Sequence, residues 1–490
     1  MCENLNVISL DIGTSSIKGA IFNENGRKIY YITVGNAKIS QPKYGFCEID
    51  ATEVYEKVCF VLKKLISKVR VNHAIISISS MCPVLILLDK DGKPILNAIL
   101  YNDLRSLYEA QEINQKFGSK DLLKINGNIA NIQQWGPKLL WLKKHKTKLY
   151  SKCARICDLS SFIVYNLTNE FVLDHTIAQE TGFLDYHKKT WSNEIISFFG
   201  LDESMLPVLV ETTKIVGEIK DKRIVAEQKD IKINAGCADS VASLLSIGQI
   251  SQNELAMVIG STGIVSYSTK YPKIDRRLYL DLSPINRLYY IMGATSASGL
   301  FLKFIMHILN LKGYSNLDHL ASLSEPSANG LIILPYIYGE RTPLFDPYAR
   351  GVIFGLSART TINDLLRASF ESIAYSLFHN IIVFNELGYK IDYVKVTGGL
   401  IKSKLFLQMI SDLTGKRLAV YQNSELLGNT FIAYKALGII KKWSEVNQWL
   451  NESYTINPKH KNHQIYLTNF KAFLELYNRL KQFFKNYNLF

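Results

Sequence analysis

The chain has 490 residues, and 57 Lys and Arg against 43 Asp and Glu give a formal net charge of +14. At roughly 150 residues per domain this length holds two to three domains, and a composition 47% hydrophobic and 20% charged builds a large core, which excludes wholesale disorder. Pro 12 and Gly 29 exclude a collagenous or Pro-rich architecture, and the basic residues form no dense block interleaved with aromatics, so the expectation is no nucleic-acid partner.

In chain order, the start MCENLNVISLDIG has an acidic residue where a secretory signal needs basic ones. It runs directly into a strand pattern, Asn6 to Leu10. A turn of small residues, Asp11 to Ser16, leads to a second strand, Ile17 to Phe22. Asn25-Gly26 is a hairpin signal before a third strand, Lys28 to Val34. Val71 to Leu88 lacks a formal charge, but its serines, Asn72, His73 and Pro83 speak against a bilayer span, so no membrane partner is expected. The seven cysteines, Cys2, Cys47, Cys59, Cys82, Cys153, Cys157 and Cys237, are dilute. Cys153 and Cys157 have no second pair or His cluster to complete a zinc site, and a reducing cytoplasm is the plain reading.

Ile231 to Ile233 reads as a strand, and Gly236-Cys237-Ala238-Asp239-Ser240 then sets a lone carboxylate among small residues at the head of a helix. Asp239 there either caps the helix or accepts a substrate hydroxyl proton. The opening pattern recurs half a chain later: strand Leu255 to Ile259, turn Gly260-Ser261-Thr262-Gly263, strand Ile264 to Ser268. Two such copies predict two related α/β domains. A long helix follows from Ile362, with Thr361 and Asp364 spaced to cap its start. Tyr393 to Val396 is a strand, Thr397-Gly398-Gly399 a turn, and Lys402 to Leu413 a helix ended by Gly415. From Trp443 onward the chain reads as helical and polar-faced, without a usable motif.

The turns carry the chemistry. In Asp11-Ile12-Gly13-Thr14-Ser15-Ser16-Ile17-Lys18 the glycine permits close backbone approach. Hydroxyls and N–H groups can surround phosphate oxygens, and Asp11 can hold Mg²⁺ through water. It is not a Walker loop, since no G-K-[ST] follows. Gly260 to Gly263 repeats the same chemistry, so the pair could grip one polyphosphate from both sides of a cleft. Thr397-Gly398-Gly399 is a third loop of the kind that admits a nucleotide. Each turn taken singly is equally an ordinary hairpin or βα turn.

Together these segments resemble the FGGY carbohydrate kinase family from about residue 6 to about residue 440. Leu10 to Thr14 resembles its first phosphate hairpin, Gly236-x-x-Asp239 followed by Gly248 its catalytic-base segment, and Gly260 to Gly263 its second phosphate hairpin. Gly351, Gly355 and Leu356, then Asp364-Leu365, then Ala368 to Glu371 follow the family signature. Gly339-Glu340-Arg341-Thr342-Pro343 and Asp346-Pro347 are similar to segments of pentulose and gluconate kinases. Thr397 to Gly399 with Ser403 resembles the adenine loop.

The resemblance implies an α/β fold of two actin/ribonuclease-H-like domains, 1–247 and 248–490, with a catalytic cleft between them. It implies transfer of the γ-phosphoryl group of ATP, with Mg²⁺, to a hydroxyl of a pentulose, sugar acid or polyol. Asp239 would be the base. Asp11 would hold magnesium through water, with Asp239 a second candidate ligand. Gly13, Thr14, Ser15 and Lys18 would face the phosphates, with Gly260, Ser261, Thr262 and Gly263 closing from the other domain and Gly299, Gly398, Gly399 and Ser403 near the nucleotide. Relatives carry Gln-Met-His where this chain has Met81-Cys82-Pro83, so the histidine that touches the sugar has no counterpart. Tyr101-Asn102-Asp103-Leu104-Arg105 is similar to the family's Trp-Asn-Asp-x-Arg. Met81, Cys82, Asp103, Arg105 and Gln134 are thus expected at the acceptor, with Asp103 alternatively a structural ion-pair partner. A homodimer is compatible with all of this. The rival readings are a sugar-independent actin-like ATPase and a catalytically silent sugar sensor of the same fold.

Overall fold

The computed structural model describes residues 6–68, 73–224, 230–311, 313 and 316–487. Cys2 and the acidic start lie outside the described residues, as do Val71 and Asn72. The first sheet is built from β1 (Asn6–Ile12), β2 (Ser16–Asn23), β3 (Lys28–Gly35), β4 (His73–Ser80), β5 (Ile215–Glu218) and β6 (Asp230–Asn234), in the spatial order β5-β6-β4-β1-β2-β3. β1 runs antiparallel to β2 and parallel to β4. Every residue of β1 is buried, because helices cover both of its faces.

Alternation along β1 decides what each face carries. Ile8, Leu10 and Ile12 pack into a core with Val54, Val58, Leu62 and Leu65 of α1 (Ala51–Ile66), whose start is capped by the Asp50 carboxylate. The odd positions, Val7, Ser9 and Asp11, turn to the opposite face. Between β4 and β5 the chain inserts short elements, among them α2 (His175–Glu180). After β6 comes α3 (Asp239–Ser246).

The second sheet comprises β7 (Glu254–Ile259), β8 (Gly263–Thr269), β9 (Tyr279–Leu282), β10 (Tyr289–Thr295), β11 (Tyr393–Thr397), β12 (Arg417–Val420) and β13 (Tyr454–Ile456), in the order β9-β10-β8-β7-β11-β12-β13. Its β7–β8 hairpin flanked by parallel β11 repeats the β1–β2 hairpin flanked by parallel β4. The longer helices are α4 (Gly299–Ile308), α5 (Ile362–Glu386), α6 (Lys404–Thr414), α7 (Glu425–Ala436) and α8 (His460–Asn486). Thr361 and Asp364 form a reciprocal capping box on α5, and Gly415 ends α6 in a left-handed conformation.

Two features depart from the sequence reading. The tail is polar on its outer face only: α8 buries Tyr466, Phe470, Phe473, Tyr477 and Phe484 on the other, and Tyr454–Ile456 adds an edge strand. The apolar residues recur every three to four positions, so lysines dominate the composition while the inner stripe packs on the core. The second departure is α7. It lies between β12 and β13 of the second sheet in the chain, yet sits on the first: Asn429 Nδ2 donates to the Leu10 carbonyl at 2.7 Å and to Ser79 Oγ at 2.9 Å, and Ser9 and Thr430 hydroxyls meet at 2.7 Å. A Cβ on Gly428 would stand 1.9 Å from the Ala242 carbonyl oxygen, so glycine is what lets α7 and α3 touch backbone to backbone. Among the described residues no helix is long and apolar enough to cross a membrane.

Candidate active site

Asp239 owes its position to the glycine three residues before it. Gly236 has φ +81°, and a Cβ there would lie 2.2 Å from the Ile78 carbonyl oxygen, so any side chain would push the segment off β4. With glycine, Cys237–Ala238 pairs in parallel with Ser79–Ser80, and α3 begins at once with Asp239. The Ala238 N–H is held by Thr176 Oγ1 at 3.0 Å, and that hydroxyl is in turn held by Asp174, the cap of α2. Asp239 accepts one close N–H, from Ser240 at 2.7 Å. Burial pushes its carboxyl up to about 6 against that N–H, and the Glu425 charge adds to the rise.

The β1–β2 hairpin concentrates charge. Asp11 and Lys18 are register partners on the same face. Lys18 Nζ reaches Glu425 of α7 at 2.6 Å and Asp11 at 3.4 Å, and Ser79 Oγ donates to Asp11 at 3.0 Å. Burial, then the neighbouring Glu425, hold the Asp11 carboxyl well above the usual carboxylate range. Lys18 overcomes the effect of burial on Glu425 and keeps that group low. At the tip, Gly13 N–H bonds the Ser16 carbonyl, whereas the N–H groups of Thr14 and Ser15 meet no acceptor among the described residues. They are free to bind an anion.

The β7–β8 hairpin is built from hydroxyls. Gly263 N–H donates to Thr295 Oγ1 at 3.0 Å, which also meets Ser298 Oγ at 3.0 Å. The start of α4 rests on it, with the Ser298 and Leu300 N–H groups on the Ser261 carbonyl and Gly299 N–H on Gly260. A Cβ on Gly299 would come within 2.8 Å of that Gly260 oxygen. The Ser261 and Thr262 N–H groups again meet no acceptor among the described residues. Gly398 (φ +106°) packs against Ile259 of β7, the space over Gly399 is open, and Ser403 caps α6 through the Phe406 N–H. The third loop therefore adjoins the second hairpin.

A cavity of about 130 Å³ joins these parts; Asp239, Thr262, Tyr101, Cys82, Gln134 and Arg341 are on its wall. Tyr101 on that wall faces the Thr14 side chain, which ties the first hairpin to the same cavity. The C-terminal lobe closes it through β9, whose Leu280 backbone pairs with the Asn128 side chain, at 2.9 and 3.0 Å, and takes Gln179 Nε2 at 3.0 Å.

Of the residues expected at the acceptor, Cys82 and Gln134 line the cavity, and Met81, Asp103 and Arg105 do not. Asp103 is fully buried and accepts the Arg105 guanidinium at 2.8 and 2.7 Å together with the Cys47 N–H; Arg105 also grips Glu48 at 2.6 Å. Both are spent as an ion pair away from the cavity wall. Met81 is core, its N–H on the Ile12 carbonyl. The notion of Asp239 as a lone carboxylate also fails, since Glu180 and Asp281 line the same cavity and Glu425 acts on it from α7. Sequence reading missed Glu180, Asp281, Tyr279 and Asn131, which sit in no motif. Glu425, at the head of a helix after Asn423-Ser424, offered the only signal.

The chain was compared with known proteins. Residues 6–246 match the N-terminal domain, and residues 255–437 the C-terminal domain, of the FGGY family of carbohydrate kinases. A xylulose kinase of Lactococcus lactis subsp. lactis is 31% identical over 501 residues, covering 98% of this chain and 96% of the relative. Among solved structures, a ligand-bound xylulose kinase from Lactobacillus acidophilus superposes with a TM-score of 0.92 at 25% identity, over 99% of this chain and 100% of that one. A gluconate kinase from the same organism superposes with a TM-score of 0.92 at 24% identity, over the same shares.

Proposed function

This chain belongs to the FGGY family of carbohydrate kinases, and from that premise we propose that it transfers the γ-phosphoryl group of ATP to a hydroxyl of a D-xylulose-like pentulose, a sugar acid or a polyol held beside Asp239. The observation that carries this reading is one cavity wall shared by a buried, ionisable Asp239 and Thr262 of the second hairpin, with Thr14 of the first hairpin beside its Tyr101. Residues 1–247 supply the acceptor side and the base, and residues 248–490 most of the nucleotide side. Its unpaired described cysteines fit a reducing cytoplasm.

Asp239 takes the proton of the attacking hydroxyl; with its carboxyl near 6 it is ionised at neutral pH yet more basic than an exposed aspartate. The free N–H groups at Thr14, Ser15, Ser261 and Thr262 bind phosphate oxygens from two sides, fixing the line of attack. Lys18 adds a positive charge beside the first hairpin, and the third loop flanks the adenine side. The buried carboxylate of Asp11, with Asp239 as second candidate, suits a cation that keeps most of its waters, and Mg²⁺ held there would neutralise phosphate charge. Closing the lobes keeps water from the phosphoryl group.

The test is ADP release in a coupled assay from purified protein with ATP and Mg²⁺, across D-xylulose, D- and L-ribulose, gluconate, glycerol, erythritol and no acceptor. Stimulation by one acceptor, lost in Asp239→Asn, is expected. Steady acceptor-independent hydrolysis, or silence throughout, would overturn the proposal.

A further inference from the structure

Two carboxylates on the cavity wall have no part in the transfer step. Glu180 ends α2 in the N-terminal lobe, and Asp281 lies in β9 of the C-terminal lobe. Glu180 has two long contacts, Cys82 Sγ and Ser240 Oγ, each at 3.4 Å, and Asp281 receives no hydrogen bond among the described residues. The contrast is Glu340, whose Oε1 is fully occupied by the Ser296 and Arg341 N–H groups at 2.6 and 2.8 Å. Glu180 and Asp281 thus keep unused acceptor capacity, and it faces the cavity. Burial raises both carboxyls, Asp281 to about 7, and the Asp281 charge lifts Glu180 further.

Asp239 apart, the rest of the wall is neutral or singly positive. Gln133, Gln134, Asn128 and Asn131 supply amides, and Arg341 is the one basic side chain on the wall among the described residues, with a guanidinium nitrogen already on the Thr295 carbonyl. Asp239 must be ionised to accept a proton, so the working cavity already holds at least one negative charge in a water-poor setting. An acceptor bearing its own carboxylate would add another, opposite two more carboxyls. Hydroxyls are the reverse case: each donates to a carboxyl oxygen whether that group is protonated or ionised, and the bond strengthens as the group ionises. Overall fold likeness does not choose, since the xylulose kinase and the gluconate kinase superpose equally, at 0.92.

Resting on the kinase reading above, we propose that Glu180 and Asp281 are specificity-determining residues that hold the hydroxyls of an uncharged polyhydroxy acceptor, a pentulose or polyol, across the two lobes and exclude sugar acids. Because one residue comes from each lobe, acceptor binding also draws the lobes together.

Two measurements test this. On the wild-type enzyme, an uncharged acceptor supports ADP release, and gluconate at equal concentration neither supports it nor competes. In Glu180→Gln and Asp281→Asn, the acceptor KM rises about tenfold or more, the scale of one lost charge-assisted hydrogen bond, while kcat and the ATP KM change less. Removing an ill-solvated carboxyl does not disfavour folding, and a thermal melt checks this. Turnover of gluconate by the wild type at a kcat/KM equal to the uncharged acceptors, or an unchanged acceptor KM in both folded variants, overturns the inference; the wild-type panel decides alone if a variant does not fold. Gluconate as the preferred acceptor leaves the kinase reading standing, whereas no stimulation by any acceptor fails the kinase reading itself.

Discussion

The two glycine hairpins share a backbone plan and differ in everything charged. The register pair Asp11 and Lys18 before the first tip corresponds to Val258 and Ile264 before the second. The first hairpin is wired to Glu425 and Ser79, the second to the Thr295 and Ser298 hydroxyls. On the proposed reading the same turn handles charge and cation on one lobe, and only cradles an anion on the other. A duplicated fold can keep its geometry while dividing the labour, because backbone N–H groups bind phosphate whatever the flanking side chains are.

The largest effect is expected from Asp239→Asn, beside the charged hairpin: turnover falls ~10²–10⁴-fold, the range for a lost general base, while ATP binding followed by calorimetry is nearly unchanged. Next, Asp11→Ala lowers turnover more at low Mg²⁺ than at high; a magnesium titration with an unshifted midpoint would erase the proposed division. Ser261→Ala with Thr262→Val on the other hairpin raises the ATP KM by less than about tenfold, the cost of modest neutral hydrogen bonds, with no change in that titration.

The smallest effects are those of pH. As the proposed base, Asp239 would act when ionised, so kcat/KM for the acceptor is expected to rise with pH through about 6 and then level, and to be lost as pH falls through that value. Asp281 has a folded pKa of about 7, above the ordinary carboxylate value. The folded state keeps a proton that the unfolded chain has already released, so this group's contribution to stability falls as pH rises from about 4 to about 7. Asp281→Asn should therefore raise Tm at pH 8 and leave it little changed at pH 4.

Sequence reading reached the hairpins, α5 and its cap, and Asp239, because each is written in short-range terms: alternation, small-residue turns, a cap three residues from its partner. It failed at Asp103 and Arg105, where a motif of the right residues is satisfied internally, two residues apart, and so never reaches the cavity. Glu180 and Asp281 were invisible for the opposite reason. They are separated by a hundred residues and lie on different lobes, and their meaning arises only when β9 docks on Asn128 and Gln179. The tail misled because its many lysines masked a five-residue aromatic stripe.

α7 has a consequence for dissection of the gene. The chain can be divided on paper near residue 247, but a fragment ending there would lose the Asn429 bonds to the Leu10 carbonyl and Ser79, and would carry α3 without the helix that Gly428 lets against it. The other fragment would keep α7 with its apolar and amide face bare. Neither half is a self-sufficient module. Co-expressed as separate polypeptides they should reassemble by complementation, and the α3–α7 crossing should then serve as the pivot about which the halves rock.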